Sequence, residues 1–271
     1  MDNRPIGVFD SGIGGLSCVS SLLREFPDEG IIYFGDTART PYGDKAPETI
    51  REFAAQITEF LVSKDIKMLV IACNTISALC TDMIQQRYPE IPVVDIIRPT
   101  VSYLTERKQP GKNIGIVATK ATVQSGVYET LLRNEGVQGT IVSQACPLLV
   151  PMIECGFREG PVVEAVVHTY LDQFIYENGI DTLVLGCTHY PFIADTIRQI
   201  YPEIEIVNPS RIISGRVADM LRGKDMMARA GGDYTRQFYA SDLSDTFRDM
   251  LRQIDPGEHY SVKFKVFKGI W

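Results

Sequence analysis

The 271-residue sequence lacks the features that mark a membrane protein or a nucleic-acid-binding protein. No apolar run approaches the roughly 20 residues of a membrane span, and no targeting segment is recognisable at the start of the sequence. The net charge of −7 gives the chain no general attraction for nucleic acid or anionic lipid. These absences predict a cytoplasmic protein that acts on neither a membrane nor a nucleic acid.

Known cofactor and metal motifs are also missing. The cysteines at positions 18, 73, 80, 146, 155 and 187 form no C-x-x-C and no close Cys/His cluster, so neither structural zinc nor a disulfide framework is expected. The glycine-rich segment 10–15 has Ser17 where a dinucleotide-binding loop has its third glycine, and no Gly-Lys-Ser/Thr follows. Such a loop before a helix is nevertheless a good cradle for a carboxylate.

Two segments of the chain repeat one pattern. Residues 68–75 and 182–189 each contain an apolar run of strand length, followed by a small residue, a cysteine and two residues with hydrogen-bonding side chains. Asn74 and Thr75 follow the first cysteine, Cys73, and Thr188 and His189 follow the second, Cys187. Ligands of open α/β sheets bind at the carboxyl ends of the strands. Both thiols are therefore expected to face a cleft.

Strand-length and helix-length apolar patterns alternate along the chain in two cycles, separated by a turn at 109–111. The second cycle includes a strand predicted at 139–142, and Ser210 is predicted to cap the helix that follows residue 209. We expect two similar α/β domains, each with a mostly parallel sheet flanked by helices, and an active site in the cleft between them. The expected boundaries are 1–97 plus 211–271 for the first domain and 98–210 for the second.

Thiols at the starts of helices have lowered pKa values, because the thiolate meets free backbone N–H groups. On this ground Cys73 and Cys187 are each a candidate base or nucleophile. His189 can exchange a proton beside Cys187, and Asp10, at the tip of the first strand, is the nearest equivalent acid for Cys73. Two thiols placed alike in the two halves of the chain indicate chemistry on two faces of one small molecule.

Two other classes of protein remain open. A cysteine hydrolase or transferase would use one thiol as a nucleophile with His189 as its base, which leaves the second cysteine without a role. A bilobed amino-acid-binding protein would have the same cleft but no use for paired thiols.

Several segments together resemble the glutamate racemase family. The segments that carry the resemblance are 9–15 (FDSGIGG), 41–43 (PYG), 72–75 (ACNT), 147–154 (PLLVPMIE) and 186–191 (GCTHYP). The similarity runs from residue 6 to about 210, and the broader aspartate/glutamate racemase group shares the two cysteines but not all of these segments. The resemblance implies an isomerase without a cofactor or metal, which supplies D-glutamate for peptidoglycan synthesis, cell-wall biogenesis and cell shape. It also implies a homodimer, and leaves a related aspartate racemase as an alternative.

The resemblance also assigns roles to residues. Cys73 would deprotonate D-glutamate with assistance from Asp10, and Cys187 would deprotonate L-glutamate with assistance from His189. The substrate-binding positions carried over from the family, in addition to Asp10 and His189, are Ser11, Tyr42, Gly43, Asn74, Thr75 and Thr188. Asp36 and Glu154 are expected to bind or orient the ammonium group.

Overall fold

The computed structural model describes residues 1–106, 112–232, 234–254 and 260–267. The strands, in chain order, are β1 (Ile6–Asp10), β2 (Ile31–Gly35), β3 (Met68–Ile71), β4 (Val93–Asp95), β5 (Ile114–Ala118), β6 (Ile141–Ala145), β7 (Thr182–Gly186), β8 (Glu205–Val207), β9 (Arg236–Ala240) and β10 (Ser261–Phe264). The helices are α1 (Leu16–Glu25), α2 (Pro47–Val62), α3 (Asn74–Arg87), α4 (Ile97–Glu106), α5 (Lys120–Ser125), α6 (Val127–Asn134), α7 (Leu149–Glu154), α8 (Pro161–Asn178), α9 (Ala194–Ile200), α10 (Pro209–Gly223) and α11 (Asp245–Ile254), and a 3-10 turn lies at Tyr190–Ile193. The turn predicted at 109–111 lies outside the described residues.

The strands form two sheets, with the orders β10-β9-β2-β1-β3-β4 and β6-β5-β7-β8. Neighbouring strands are parallel throughout both sheets. Parallel neighbours cannot be joined by tight hairpins, and the helices between the strands provide the crossovers. The prediction of two parallel sheets flanked by helices is confirmed. Strands β9 and β10 pair in the sheet that contains β1, so the chain returns to its first sheet after the second is complete.

The strands β1, β2, β3, β5 and β7 are buried on both faces, and alternate side chains enter different cores. Val70 of β3 and Val184 of β7 belong to one central cluster that the two sheets share. Their neighbours point the other way: Ile71 packs on the outer face of the first sheet and Leu185 on the outer face of the second. The two sheets therefore pack against one shared core.

Two local predictions are wrong. Asn208, not Ser210, caps α10: the Asn208 side chain accepts a hydrogen bond from the backbone N–H of Ser210, which already lies in the first turn. The strand predicted at 139–142 begins at Ile141 and continues to Ala145. This strand lies at the edge of its sheet and carries Ser143 and Gln144, so its hydrophobic pattern is weak where the strand continues.

The described residues contain no helix that is long and apolar enough to span a membrane. The same residues contain no group of three His, Cys, Asp or Glu side chains arranged to hold a metal ion.

Candidate active site

Each of the two repeated segments contains a buried cysteine. Cys73 follows β3 in an extended conformation and immediately precedes α3, whose first residues are Asn74 and Thr75. Cys187 follows β7 and leads through Thr188 and His189 into the 3-10 turn. Only 4% of Cys73 and 6% of Cys187 is exposed. The two sulfurs therefore sit at the carboxyl ends of strands that belong to different sheets.

Both cysteines line one small cavity between the sheets, with a volume of about 20 Å³. The other residues around it are Ser11, Thr40, Pro41, Tyr42, Gly43, Asn74, Thr75, Thr119, Val150, Thr188 and His189. The predicted binding residues Ser11, Tyr42, Gly43, Asn74, Thr75 and Thr188 are thus brought together. Asp10, Asp36 and Glu154 lie behind this lining and contact it through hydrogen bonds.

The predicted lowering of the thiol pKa is wrong for Cys73. Burial raises the pKa of Cys73 to about 12, and the nearby carboxylate of Asp10 adds to the increase. A hydrogen bond between the Cys73 thiol and Ser11 Oγ, at 3.5 Å, and the backbone N–H of Ile76 act in the opposite direction without offsetting it. In the closed cleft Cys73 is consequently a thiol, ready to act as an acid.

Cys187 is at one end of a chain of polar groups. Its sulfur lies 3.9 Å from His189 Nδ1, and His189 Nε2 lies 3.0 Å from Glu154 Oε1. Burial alone lowers the pKa of His189, but the hydrogen bonds to Cys187 and Glu154 outweigh burial and raise it to about 10. His189 is therefore protonated at neutral pH, which puts a positive charge beside the sulfur of Cys187.

The raised pKa of His189 predicts how stability depends on pH. An unfolded histidine titrates near pH 6.5, so the charged side chain stabilises the fold fully below that pH and loses this contribution as the pH rises toward about 10. Thermal melting of the wild type and of His189→Asn should therefore differ most below pH 6.5, and the gap in Tm should narrow up to pH 10. In a Glu154→Gln background, the Tm gap caused by His189→Asn should close at a lower pH, because His189 has lost one of its two hydrogen-bond partners. A Tm gap that stays constant from below pH 6.5 to pH 10 contradicts the raised pKa of His189.

Asp10 is completely buried and joins the two sheets. Its Oδ2 accepts hydrogen bonds from the backbone N–H groups of Gly12 and Gly15, each at 3.0 Å, and its Oδ1 accepts one from Thr188 at 3.3 Å. Burial raises the pKa of Asp10, while the charge of His189 and the N–H donors oppose the rise. The glycine-rich loop is thereby folded around a carboxylate of this chain.

The structure places Asp36 behind Tyr42. The Tyr42 hydroxyl donates to Asp36 Oδ2, Arg39 Nε donates to the same oxygen at 2.6 Å, and Ser241 Oγ donates to Oδ1 at 2.7 Å. Glu154 is similarly engaged with His189. These positions do not support direct contact of either carboxylate with a substrate ammonium group; they support orientation of Tyr42 and His189.

Several hydrogen bonds cross the cleft. Thr75 and Thr119 share one between their hydroxyls at 2.9 Å, the Ala121 N–H donates to the Gly43 carbonyl at 3.0 Å, and Tyr128 donates to Asn74 at 2.7 Å. A cavity of about 20 Å³ has room for about one water molecule, since one water needs roughly 10–15 Å³. The structure is therefore a closed form, and an amino acid enters after the two sides separate.

Thr119 and Tyr128 were not predicted from the sequence. Thr119 follows β5 directly, so it occupies the same kind of strand-end position as Cys73 and Cys187, and that position was a usable signal. Tyr128 lies within α6 and has no such signal.

Comparison with known proteins agrees with this geometry. A model of the Asp/Glu/hydantoin racemase family matches residues 6–214. The chain is 39% identical over 251 residues to a glutamate racemase of Chlorobaculum tepidum, and the match covers 92% of each chain.

Solved structures extend the comparison to the fold. The crystal structure of glutamate racemase from Francisella tularensis in complex with D-glutamate aligns with a TM-score of 0.90 and 38% identity over 98% of both chains. The structure of glutamate racemase from Thermus thermophilus in complex with β-chloro-D-alanine aligns with a TM-score of 0.85 and 31% identity over 99% of both chains.

Proposed function

The chain belongs to the Asp/Glu/hydantoin racemase family, and from this premise we infer that it is a glutamate racemase, an isomerase that interconverts L- and D-glutamate. The observation that carries this inference is the pair of cysteines from two different sheets that line one cavity. Racemisation removes the α-proton from one face of a planar intermediate and returns a proton to the other. Racemisation therefore requires two acid–base groups, one on each face of the substrate.

The two cysteines divide the work. With L-glutamate bound, Cys187 is the base, and His189, whose Nδ1 lies 3.9 Å from the Cys187 sulfur, assists it. Cys73, whose raised pKa keeps its proton, is the acid that completes D-glutamate. In the reverse direction the roles exchange: Cys73 removes the proton from D-glutamate, and Asp10 assists it.

Substrate carboxylates are bound by donors at the edge of the cavity. The N-terminus of α3 offers the backbone N–H groups of Asn74 and Thr75, a favourable site for an anion. Ser11, Tyr42, Gly43 and Thr188 supply further donors around the same cavity. These fixed donors, in a buried site, stabilise the negative charge that develops as the α-proton leaves.

A direct test is circular dichroism of L- or D-glutamate incubated with the purified protein and no added cofactor. The signal of either enantiomer should decay to zero as the racemate forms. A stable signal rules out the racemase, and faster decay with aspartate identifies an aspartate racemase. Accumulation of a covalent acyl-enzyme with ping-pong kinetics identifies the hydrolase or transferase instead.

The remaining family traits are part of the same proposal. We propose two domains, 1–97 with 211–271 and 98–210, supported by the pairing of β9 and β10 in the first sheet. The product D-glutamate serves peptidoglycan synthesis, and the enzyme acts in the cytoplasm as a homodimer, without a cofactor. These traits are carried over from the family resemblance.

A further inference from the structure

The side-chain amide of Asn74 has a hydrogen-bond partner for its oxygen but none for its nitrogen among the described residues. Only 2% of the residue is exposed, and it lines the cavity beside Cys73. Its Oδ1 accepts a hydrogen bond from the Tyr128 hydroxyl at 2.7 Å. Its Nδ2 is buried and has no hydrogen-bond partner among the described residues. A buried amide N–H₂ without a partner is costly, and this one belongs to a side chain that lines the cavity.

Tyr128 is well suited to hold the amide in this orientation. It projects from α6, on the opposite side of the cleft from Asn74, and only 1% of it is exposed. Burial, together with the charge of Asp95, raises the pKa of Tyr128 far above neutral pH, so the phenol keeps its proton. A phenol that donates to Oδ1 leaves the N–H₂ group to face away from it. The ring packs in the central core, which holds the hydroxyl in place.

We propose that Tyr128 is a positioning residue, which fixes the amide of Asn74 so that Nδ2 donates to a carboxylate of the bound glutamate. The inference rests on the proposed function and adds a role for a residue outside the cavity lining. Tyr128 and Asn74 lie on opposite sides of the cleft, so their hydrogen bond joins the two sides beside the cavity.

The test is Tyr128→Phe, which removes the hydroxyl and keeps the ring. An amide that is free to rotate loses most of one hydrogen bond to substrate, so KM should rise about tenfold. The increase should be equal for L- and D-glutamate, since a carboxylate contact does not distinguish the two faces of Cα. The kcat should change less than about twofold, as expected when an interaction is lost equally from bound substrate and transition state.

Tyr201→Phe is the matched control. Tyr201 is also a buried ring whose hydroxyl donates one hydrogen bond, to Asp172, but it does not line the cavity. This variant should lose a similar hydrogen bond from the fold and keep the wild-type KM. A general effect of losing a buried hydroxyl would instead raise KM in both variants.

Two further variants complete the test. In an Asn74→Ala background, Tyr128→Phe should have no additional effect on KM, because the amide that it orients is gone. Asn74→Asp keeps an acceptor for Tyr128 but replaces the N–H₂ with oxygen, so KM should rise at least tenfold. The proposal is overturned by an unchanged KM in Tyr128→Phe, by additive effects in the double variant, or by an unchanged KM in Asn74→Asp. Racemisation by the wild type is measured in the same assay and reports separately on the proposed function.

Discussion

Replacing either Cys73 or Cys187 with alanine abolishes racemisation in both directions. Each turnover uses one cysteine as the base and the other as the acid, so the loss of either interrupts the forward and the reverse reaction alike. A single acid–base group typically contributes up to about 10⁴-fold to the rate, and we expect kcat to fall by at least that factor. The assay is the decay of the circular dichroism of L- and of D-glutamate. Melting temperatures should stay near that of the wild type, because both side chains are small.

Serine variants separate the two faces of the reaction. In heavy water, a protein with one working base can exchange the α-proton of one enantiomer without inverting it, provided that the base collects deuterium from solvent. Cys187→Ser should therefore incorporate deuterium preferentially into D-glutamate through Cys73, and Cys73→Ser should favour L-glutamate. Proton NMR of the recovered amino acid measures the exchange.

Cys146→Ala provides the control for a buried thiol. Cys146 is completely buried but does not line the cavity, so its loss should leave racemisation and exchange unchanged. If both serine variants preferred the same enantiomer, or if either retained near-native racemisation, the assignment of one thiol to each face would fail. The parallel-sheet fold would be unaffected by that outcome.

The sequence predicted the features that depend on local pattern. Apolar runs of strand length ending at Cys73 and Cys187 were sufficient to place both thiols at strand ends, because parallel strands carry their ligands there. The return of the C-terminal part to the first sheet was expected, and β9 pairs with β2 as that expectation requires. Polar edge strands carry less signal, which is why the bounds of β6 were predicted poorly.

Contacts between the two sheets could not be predicted from local sequence pattern. The pKa of Cys73 depends on burial and on Asp10, and the sequence indicated only a helix N-terminus, so the predicted direction was wrong. Asp36 was expected to bind or orient the ammonium group, and nothing in the sequence indicated its hydrogen bond with Tyr42. The contact of Tyr128 with Asn74 joins residues 54 apart in the sequence, one on α6 and the other at the start of α3. Such partners follow from tertiary packing, which periodicity does not specify.

Gly14→Ala should reduce kcat/KM by about 100-fold or more while the protein remains folded. A Cβ built at Gly14 clashes with the Thr188 side chain and lies 2.9 Å from His189 Nδ1, across the cleft. The loop and the end of β7 must separate by roughly 1 Å to accommodate it, and a displacement of that size at a catalytic centre costs about 10²-fold. Steady-state kinetics with both enantiomers measures the loss.

The clash is relieved by opening, which is why stability should be spared. Gly14 belongs to the loop of the first sheet, and the atoms that it meets belong to the second. An alanine at this position prevents full closure but leaves each sheet intact, so we expect a small change in Tm. The damage should appear in catalysis alone, since His189 and Thr188 no longer reach their positions beside Cys187 and Asp10.

Gly215→Ala is the control for Gly14→Ala, because it adds the same methyl group at a position away from the cleft. A Cβ at Gly215, inside α10, meets no atom within 4 Å, and alanine in a helix is more favourable than glycine by about 1 kcal/mol. This control should keep full activity and gain a few degrees in Tm. If Gly14→Ala retained wild-type kcat/KM, the loop would not approach Thr188 during turnover, and the closed cleft would not be the catalytic form. If its Tm fell sharply, the contact would be needed to hold the two sheets together as well as to close the site.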